Sequence, residues 1–290
     1  MAVGVIDVGS NTVRLKVADG EKELVSVREM LRLGADVEEL GSISDAKLAL
    51  AASTVRKFAA IGREHGAEDL EILITSPGRQ ARNGKYLLDT LVDAGDCPGR
   101  ILTAVEEGIL AFRGALSVAS PPGRRRVAVV DVGGGSAQVV VGSRREGPVW
   151  AHSIDIGSQR LTNRMLRDDP PGLDGIRAAR EEVDFYLEGI DPPEPHTVYA
   201  VGGSARALKR LAGSRLDSWE LEQLLVLLGT TPTAELVAEH DADPDRVRTM
   251  AAGAVILTEL QARLGAPLKV VRAGLREGAI VELGAARAAA

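Results

Sequence analysis

Two stretches of this chain share a pattern, Asp7-Val8-Gly9-Ser10-Asn11-Thr12 and Asp131-Val132-Gly133-Gly134-Gly135-Ser136. Each follows a short apolar run, residues 3–6 and 127–130, and each leads into another, residues 13–17 and 138–141. A dinucleotide-binding glycine loop or a P-loop passes from a strand into a helix. The β-branched runs after these two loops read instead as second strands, so the repeated unit is a strand-loop-strand hairpin. An acid at the end of a strand, followed by a tight loop of Gly, Ser and Thr, offers amides and hydroxyls to phosphate oxygens and a carboxylate to a metal ion. Glycine-rich turns between strands are common by themselves. The ungapped Asp-Val-Gly match with a closing hydroxyl residue, at equivalent places in two halves, is what points to one phosphate-handling device carried in duplicate.

The hairpins also set the organisation. In the first half the hairpin at 3–17 is followed by a strand at 23–29 and a long helix starting at Ser44, with Leu48, Ala52, Val55, Ala59 and Ile61 on its apolar stripe and Gly66 as its stop. A strand at 71–75, a polar loop Ser76-Pro77-Gly78-Arg79, a helix carrying Tyr86, Leu87 and Leu91, a strand at 101–104 and a helix at 106–116 complete this half. Residues 119–126, with Pro121-Pro122-Gly123 before three arginines, read as a linker or hinge. The second half restarts with the hairpin and adds a third strand at 150–155, an amphipathic helix between two Pro-rich loops, and a strand at 198–201. That strand runs through Gly202-Gly203-Ser204 into a helix, an arrangement that suits an anion at a helix N-terminus. A helix at 250–264, a strand at 268–271 and a closing helix at 276–287 end the chain. The domains expected are 1–118 and 127–290, with the closing helix packing on the first, and two such halves suggest a cleft lined by the loops.

Composition narrows the partners. At 290 residues there is length for roughly two domains. No apolar run approaches a membrane span and no signal-peptide pattern opens the chain, so a cytoplasmic protein with no membrane partner is expected. One cysteine, Cys97, excludes an intramolecular disulfide, and four scattered histidines offer no zinc spacing. A net charge of −6 argues against bulk binding to DNA or RNA. A polyanion must then be met locally, and Arg79, Arg82, Arg124, Arg125, Arg126, Arg144, Arg145, Arg160, Arg206, Lys209 and Arg210, in or beside loops and helix starts, could supply that field, about a third of them facing a ligand and the rest solvated surface.

These residues resemble the exopolyphosphatase and guanosine pentaphosphate phosphohydrolase family, within the actin, Hsp70 and sugar-kinase superfamily. Residues 6–15 resemble its first phosphate motif, with Asn11 after Ser10 separating the chain from kinases and actins. Residues 75–83 resemble its arginine segment and Glu106-Glu107-Gly108 its glutamate pair. Residues 131–136 resemble the second phosphate motif, Gly157 with Arg160 and Leu161 the segment after it, and residues 201–208 and 273–278 its two late signatures. The resemblance implies an α/β fold of two similar ribonuclease H-like domains with an interdomain cleft, a homodimer, and a Mg²⁺-dependent hydrolase acting on terminal phosphoanhydrides. It assigns Glu107 as catalytic base and Arg79 as the cation nearest the scissile bond. Asp131 and Asp7 become the Mg²⁺-side carboxylates. Gly9, Ser10, Asn11, Thr12, Gly133, Gly134, Gly135, Ser136, Gly202, Gly203 and Ser204 become phosphate contacts.

The chemistry is coherent apart from the family. Hydrolysis of a terminal phosphoanhydride needs a positioned water, donors for equatorial oxygens and a cation. Glu106 is read as an acid that complements a helix N-terminus, Glu107 as the base. The chain departs from the family at Ala137-Gln138, where a threonine and a glutamate are usual, and at Gln80, where a glutamate is usual. An amide accepts a hydrogen bond but is neither a base nor a charged ligand, so weaker metal affinity or turnover is expected. The substrate expected is short inorganic polyphosphate. Guanosine pentaphosphate, or binding of polyphosphate or an alarmone without cleavage, stands as the alternative, and an ATP-dependent sugar or acetate kinase fits the superfamily but not Asn11 or the glutamate pair. Aromatic residues are 3% of the chain, which leans against a guanine pocket.

Overall fold

The computed structural model describes residues 2–289. It divides into two compact units, one formed by the chain up to Gly114 together with the segment from Leu275 onward, the other Ala115–Gly274.

The first unit opens with β1 (Ala2–Val8), β2 (Thr12–Asp19) and β3 (Lys22–Met30), an antiparallel meander, and continues with α1 (Leu33–Leu40) and α2 (Asp45–Glu64). Then come β4 (Ala67–Ile74), α3 (Ser76–Gln80), α4 (Gly84–Gly95), β5 (Gly99–Ile101) and α5 (Ala104–Ala119), which runs on past the division between the units. β4 and β5 are parallel to β1, in the sheet order β3-β2-β1-β4-β5. β1 is apolar up to Asp7, its next-to-last residue, because both its faces are covered. Ile6 and Val8 join Val13, Leu15, Val55, Phe58 and Leu91 in one cluster, while Val3 and Val5 pack with Leu275, Ala279 and Ile280 of the closing helix, Leu275–Ala289. β3, at the sheet edge, carries charges along its exposed positions, which discourages edge pairing.

The second unit repeats this plan. β6 (Val127–Val132), β7 (Ala137–Ser143) and β8 (Gly147–Ile154) form the meander, followed by α6 (Ser158–Met165), α7 (Gly172–Leu187), β9 (Thr197–Val201) and α8 (Gly202–Ala212). β10 (Arg215–Leu216), α9 (Ser218–Thr230), α10 (Thr233–Glu239), α11 (Val247–Leu264) and β11 (Leu268–Val270) finish it. The sheet order is β10-β11-β9-β6-β7-β8, so β8-β7-β6-β9-β11 mirrors β3-β2-β1-β4-β5 strand for strand, with β10 added at one edge. Registers correspond as well. Asp7 stands opposite Arg14 across β1 and β2, and Asp131 opposite Gln138 across β6 and β7. α11 is buried along most of its length and is the central helix of this unit's core. Among the described residues no helix is long and apolar enough to cross a membrane.

Several local expectations change. The polar loop expected at 76–79 is the short helix α3, started by Thr75 with Pro77 in its first turn, where a missing N–H costs nothing. The strand expected at 101–104 ends at Ile101, because Thr103 caps α5. Ser44 does stand at the N-cap of α2, yet its hydroxyl turns to Asp36 Oδ2 at 2.5 Å instead of the helix amides.

The closing helix is fixed to the first unit by charge and by shape. Lys16 Nζ lies 2.9 Å from Glu277 Oε1 and 2.8 Å from Glu23 Oε2, and Arg287 meets Glu68 and Asp69. At Gly278 a Cβ would come within 1.9 Å of the Leu110 carbonyl oxygen, so only glycine lets this helix lie against the α5 backbone. Burial alone raises the Glu277 carboxyl, but Arg276 and Lys16 outweigh it and hold the carboxyl below its ordinary value of 4.5. A depressed carboxyl stabilises the fold above its unfolded pKa, and that stabilisation disappears as pH falls through the folded value. Glu277→Gln is therefore expected to cost about 3 kcal/mol at pH 7, and the difference from wild type is expected to shrink as pH falls below 4.5 through the folded value. Urea unfolding across this pH range measures this, and a loss that stays the same throughout would contradict the charge argument.

Candidate active site

Both loops close in the same way. Gly9 N–H donates to the Thr12 carbonyl at 3.0 Å in the first unit, and Gly133 N–H to the Ser136 carbonyl at 3.0 Å in the second. The helix that follows each meander braces its loop from behind. In the first unit, Leu31 and Arg32 N–H reach the Asn11 carbonyl at 2.9 and 3.0 Å, and Gly34 N–H reaches that of Ser10 at 2.7 Å. In the second, Ser158 N–H reaches the Gly133 carbonyl at 2.9 Å, while Gln159 and Arg160 N–H reach that of Gly134 at 2.9 and 3.1 Å. With their carbonyls engaged from behind, these loops are held as rigid turns.

In the first unit the loop is joined to α3 and through it to α5. The Ser10 and Ser76 hydroxyls lie 2.6 Å apart in a buried pair, so Ser10 ties the loop to the start of α3. Arg79, three residues further on α3, places Nη2 2.9 Å from Glu107 Oε2 and donates from Nη1 to the Leu102 carbonyl at 2.9 Å. The side chains of this ion pair are only 19% and 12% exposed, so it is poorly screened by water. The two glutamates at the start of α5 divide their work. Glu106 forms a capping box with Thr103, at 2.7 Å from the Thr103 amide and hydroxyl, and meets Arg100; the Thr103 bonds hold its carboxyl below the ordinary range. Glu107 faces Arg79. Asp7 lies 4.0 Å from Arg276 Nε, and the Thr12 hydroxyl accepts from Arg14 Nε at 3.1 Å. Asn11 Oδ1 is buried with no hydrogen-bond partner among the described residues.

The second unit gathers a different set. Gly202, with φ +81°, starts α8 directly against Asp131, and a Cβ there would come within 2.0 Å of Oδ1. The carboxylate thus rests on the Gly202-Gly203 turn. A Cβ on Gly203 would come within 2.0 Å of Arg246 Nη1, which places this guanidinium over the N-terminal end of α8. Gln138, 2% exposed, donates from Nε2 to the Ser136 hydroxyl at 2.8 Å and has no partner for Oε1 among the described residues. The Ser204 hydroxyl is turned inward, donating to the Val132 carbonyl at 3.0 Å, so it locks β6 to α8 and its proton is committed to the backbone.

Ser76, Arg246 and Arg276 gained no role from the sequence. Ser76 and Arg276 lie in segments recognisable as motifs, at 75–83 and 273–278, and proximity to motif residues was the signal available. Arg246 sits in an acidic, Pro-containing stretch that reads as surface, and only folding brings it to Gly203.

A meander with two parallel strands added, built twice, each copy carrying an aspartate one residue before the end of its central strand and a closed Gly/Ser loop after it, is a duplicated ribonuclease H-like fold. The chain belongs to the Ppx/GppA phosphatase family, whose model matches residues 15–285. It is 29% identical to exopolyphosphatase 2 of Mycobacterium tuberculosis, covering 90% of each chain. It is 28% identical to exopolyphosphatase 1 of the same species, covering 97% of this chain and 88% of that one. The crystal structure of an exopolyphosphatase-like protein superposes with a TM-score of 0.90 at 27% identity, covering 99% of this chain and 100% of the other.

The brace behind the second loop leaves no room for a side chain at Gly157, where a Cβ would come within 2.5 Å of the Gly134 carbonyl carbon. Gly157→Ala is expected to push the 133–136 loop off α6, costing about 1–3 kcal/mol and accelerating amide exchange in the loop. Thermal unfolding and hydrogen exchange check this, and unchanged protection of the loop would contradict it.

Proposed function

We propose that the protein releases terminal orthophosphate from inorganic polyphosphate, with Glu107 as general base. The observation that carries this reading is the Arg79–Glu107 pair, a carboxylate and a guanidinium 2.9 Å apart and largely shielded from water. The family and the exopolyphosphatase names of the two mycobacterial relatives support the same chemistry.

In the proposed step the water oxygen bonds to the terminal phosphorus, the bridging P–O bond breaks, and the water proton passes to Glu107 and then to solvent or the leaving chain. A phosphate beside Arg79 competes with Glu107 for the guanidinium. Binding of substrate therefore frees the carboxylate to take a proton, and an empty site keeps its base neutralised. The closed loop of the first unit can offer amide donors to the equatorial oxygens without reorganising.

The residues present fit a hydrated Mg²⁺ ion in the second unit. Asp131 and Gln138 occupy facing positions on β6 and β7, and the orphaned Gln138 Oε1 is a hard oxygen acceptor beside a carboxylate. Asp7 fits less well, because the Arg276 guanidinium already offsets its charge. When bound, the ion would supply charge neutralisation at phosphate oxygens. Because Gln138 replaces a charged ligand by a neutral one, the same arrangement also supports a second reading, a slow enzyme or a polyphosphate- or alarmone-binding protein.

Phosphate release from short polyphosphate, long polyphosphate and guanosine pentaphosphate in Mg²⁺ separates these readings. Wild type is expected to act on polyphosphate, and Glu107→Gln to lower kcat by about 10²–10⁴. Tight binding with no release from any substrate would leave only the binding protein. Gln138→Glu places a second carboxylate opposite Asp131 and is expected to lower the Mg²⁺ concentration needed for half-maximal rate. A Mg²⁺ titration reads this directly, and an unchanged midpoint would remove residue 138 from the ion's surroundings.

A further inference from the structure

The second unit carries a charged surface that the reaction above does not use. Arg124, Arg125 and Arg126 precede β6, and Arg144 and Arg145 form the turn between β7 and β8; all are exposed. None of these five makes an ion pair or a side-chain hydrogen bond among the described residues. Elsewhere in the unit several arginines are matched to acids, Arg180 to Glu222 and Glu259, Arg263 to Asp184 and Arg164 to Glu182, while Arg167 and Arg248 meet backbone carbonyls. Single unmatched arginines occur elsewhere among the described residues, but here five are gathered on two turns, in a chain of net charge −6.

The two turns are built as one surface. Arg125 N–H closes a turn onto the Pro122 carbonyl at 2.9 Å, and Arg145 N–H donates to the Gly123 carbonyl at 2.9 Å, fastening the β7–β8 turn to the arginine run. His196 N–H adds a third tie, to the Arg126 carbonyl at 3.0 Å. Two acids lie close by in the sequence of these loops. Glu146 turns to the Ser143 hydroxyl, with Oε2 3.4 Å away, and Glu194 is exposed in the loop before His196. Because β6 and β7 are antiparallel, this surface lies at the opposite end of the hairpin from the 133–136 loop. Six residues of β6 put the two about 20 Å apart.

We propose that this surface docks the distal part of a long inorganic polyphosphate chain while its end is processed elsewhere; the inference rests on the hydrolase reading above. Arginine forks match successive phosphates bidentately, and unpaired guanidiniums incur no loss of existing ion pairs when a polyanion binds. The turns at 122–126 and 143–147 contain no aromatic side chain, and the exposed ring tied beside them is the single imidazole of His196, so they offer no run of platforms on which successive nucleobases would stack. A repeating, base-free phosphate polymer is the ligand they suit.

The test compares the chain with its R124Q/R125Q/R144Q/R145Q variant. In a Glu107→Gln background, where substrate is bound but not consumed, the variant is expected to bind long-chain polyphosphate at least about tenfold more weakly at low salt. The slope of log affinity against log salt should fall by about 2–3. In the wild-type background, hydrolysis of tripolyphosphate and the melting temperature should stay unchanged while KM for long chains rises. Equal affinity of the two proteins for long chains would overturn the inference, as would an oligothymidylate of matched charge competing as well as polyphosphate. No phosphate release by wild type from any chain would sink the hydrolase reading alone, and the binding comparison would still decide the docking surface.

Discussion

The double burial of the central strand governs both units. β1 and β6 are covered on both faces, so a charge in the middle of either would be desolvated. Asp7 and Asp131 therefore stand one residue before the carboxyl ends of these strands, partly exposed beside the turns, with Val8 and Val132 buried after them. The turn must be tight, because the second strand returns in register against the first, and a tight turn leaves amides pointing outward. Carboxylate and amides thus come together as a consequence of packing, and the bracing helices α1 and α6 hold them there.

Charge is arranged around this frame with little left to solvent. Lys16 and Glu277 bind the closing helix to β2, and Arg276, the next residue, reaches Asp7. Fixing the helix and placing the guanidinium are therefore one act: the salt bridge that anchors Glu277 sets the position of Arg276. The Arg79–Glu107 pair is made in the same way, since Ser10 and Ser76 lock α3 to the loop and the Thr103–Glu106 capping box sets the start of α5.

Most of the frame was legible because it rests on local pattern. The hairpins, α2, α7 and α11 announce themselves through apolar period and terminal signals, and the duplication through the repeated Asp-Val-Gly. What was not legible depends on tertiary pairing. α1 begins after Arg32, a residue at φ 53°, and its sequence carries Gly34, a poor helix former; it forms because its first amides fill loop carbonyls. α9 was within reach, since Asp217 and Glu220 make a capping box three residues apart. The inward turn of the Ser204 hydroxyl and the arrival of Arg246 at Gly203 follow from α8 packing on β6, which no spacing along the chain encodes.

The two copies of the loop have diverged in what faces their aspartates, and this bears on which partner each takes. Asp7 stands across from Arg14 and close to Arg276, so the first loop is surrounded by positive charge and its aspartate is already compensated. Asp131 stands across from Gln138, a neutral group with an unfilled acceptor oxygen. A region in which cations outnumber the carboxylate attracts phosphate, while one with a carboxylate and an open amide oxygen attracts a cation. On the proposed reading, the difference at the single facing position, Arg14 in one loop and Gln138 in the other, would bias the first toward an anion and the second toward a cation.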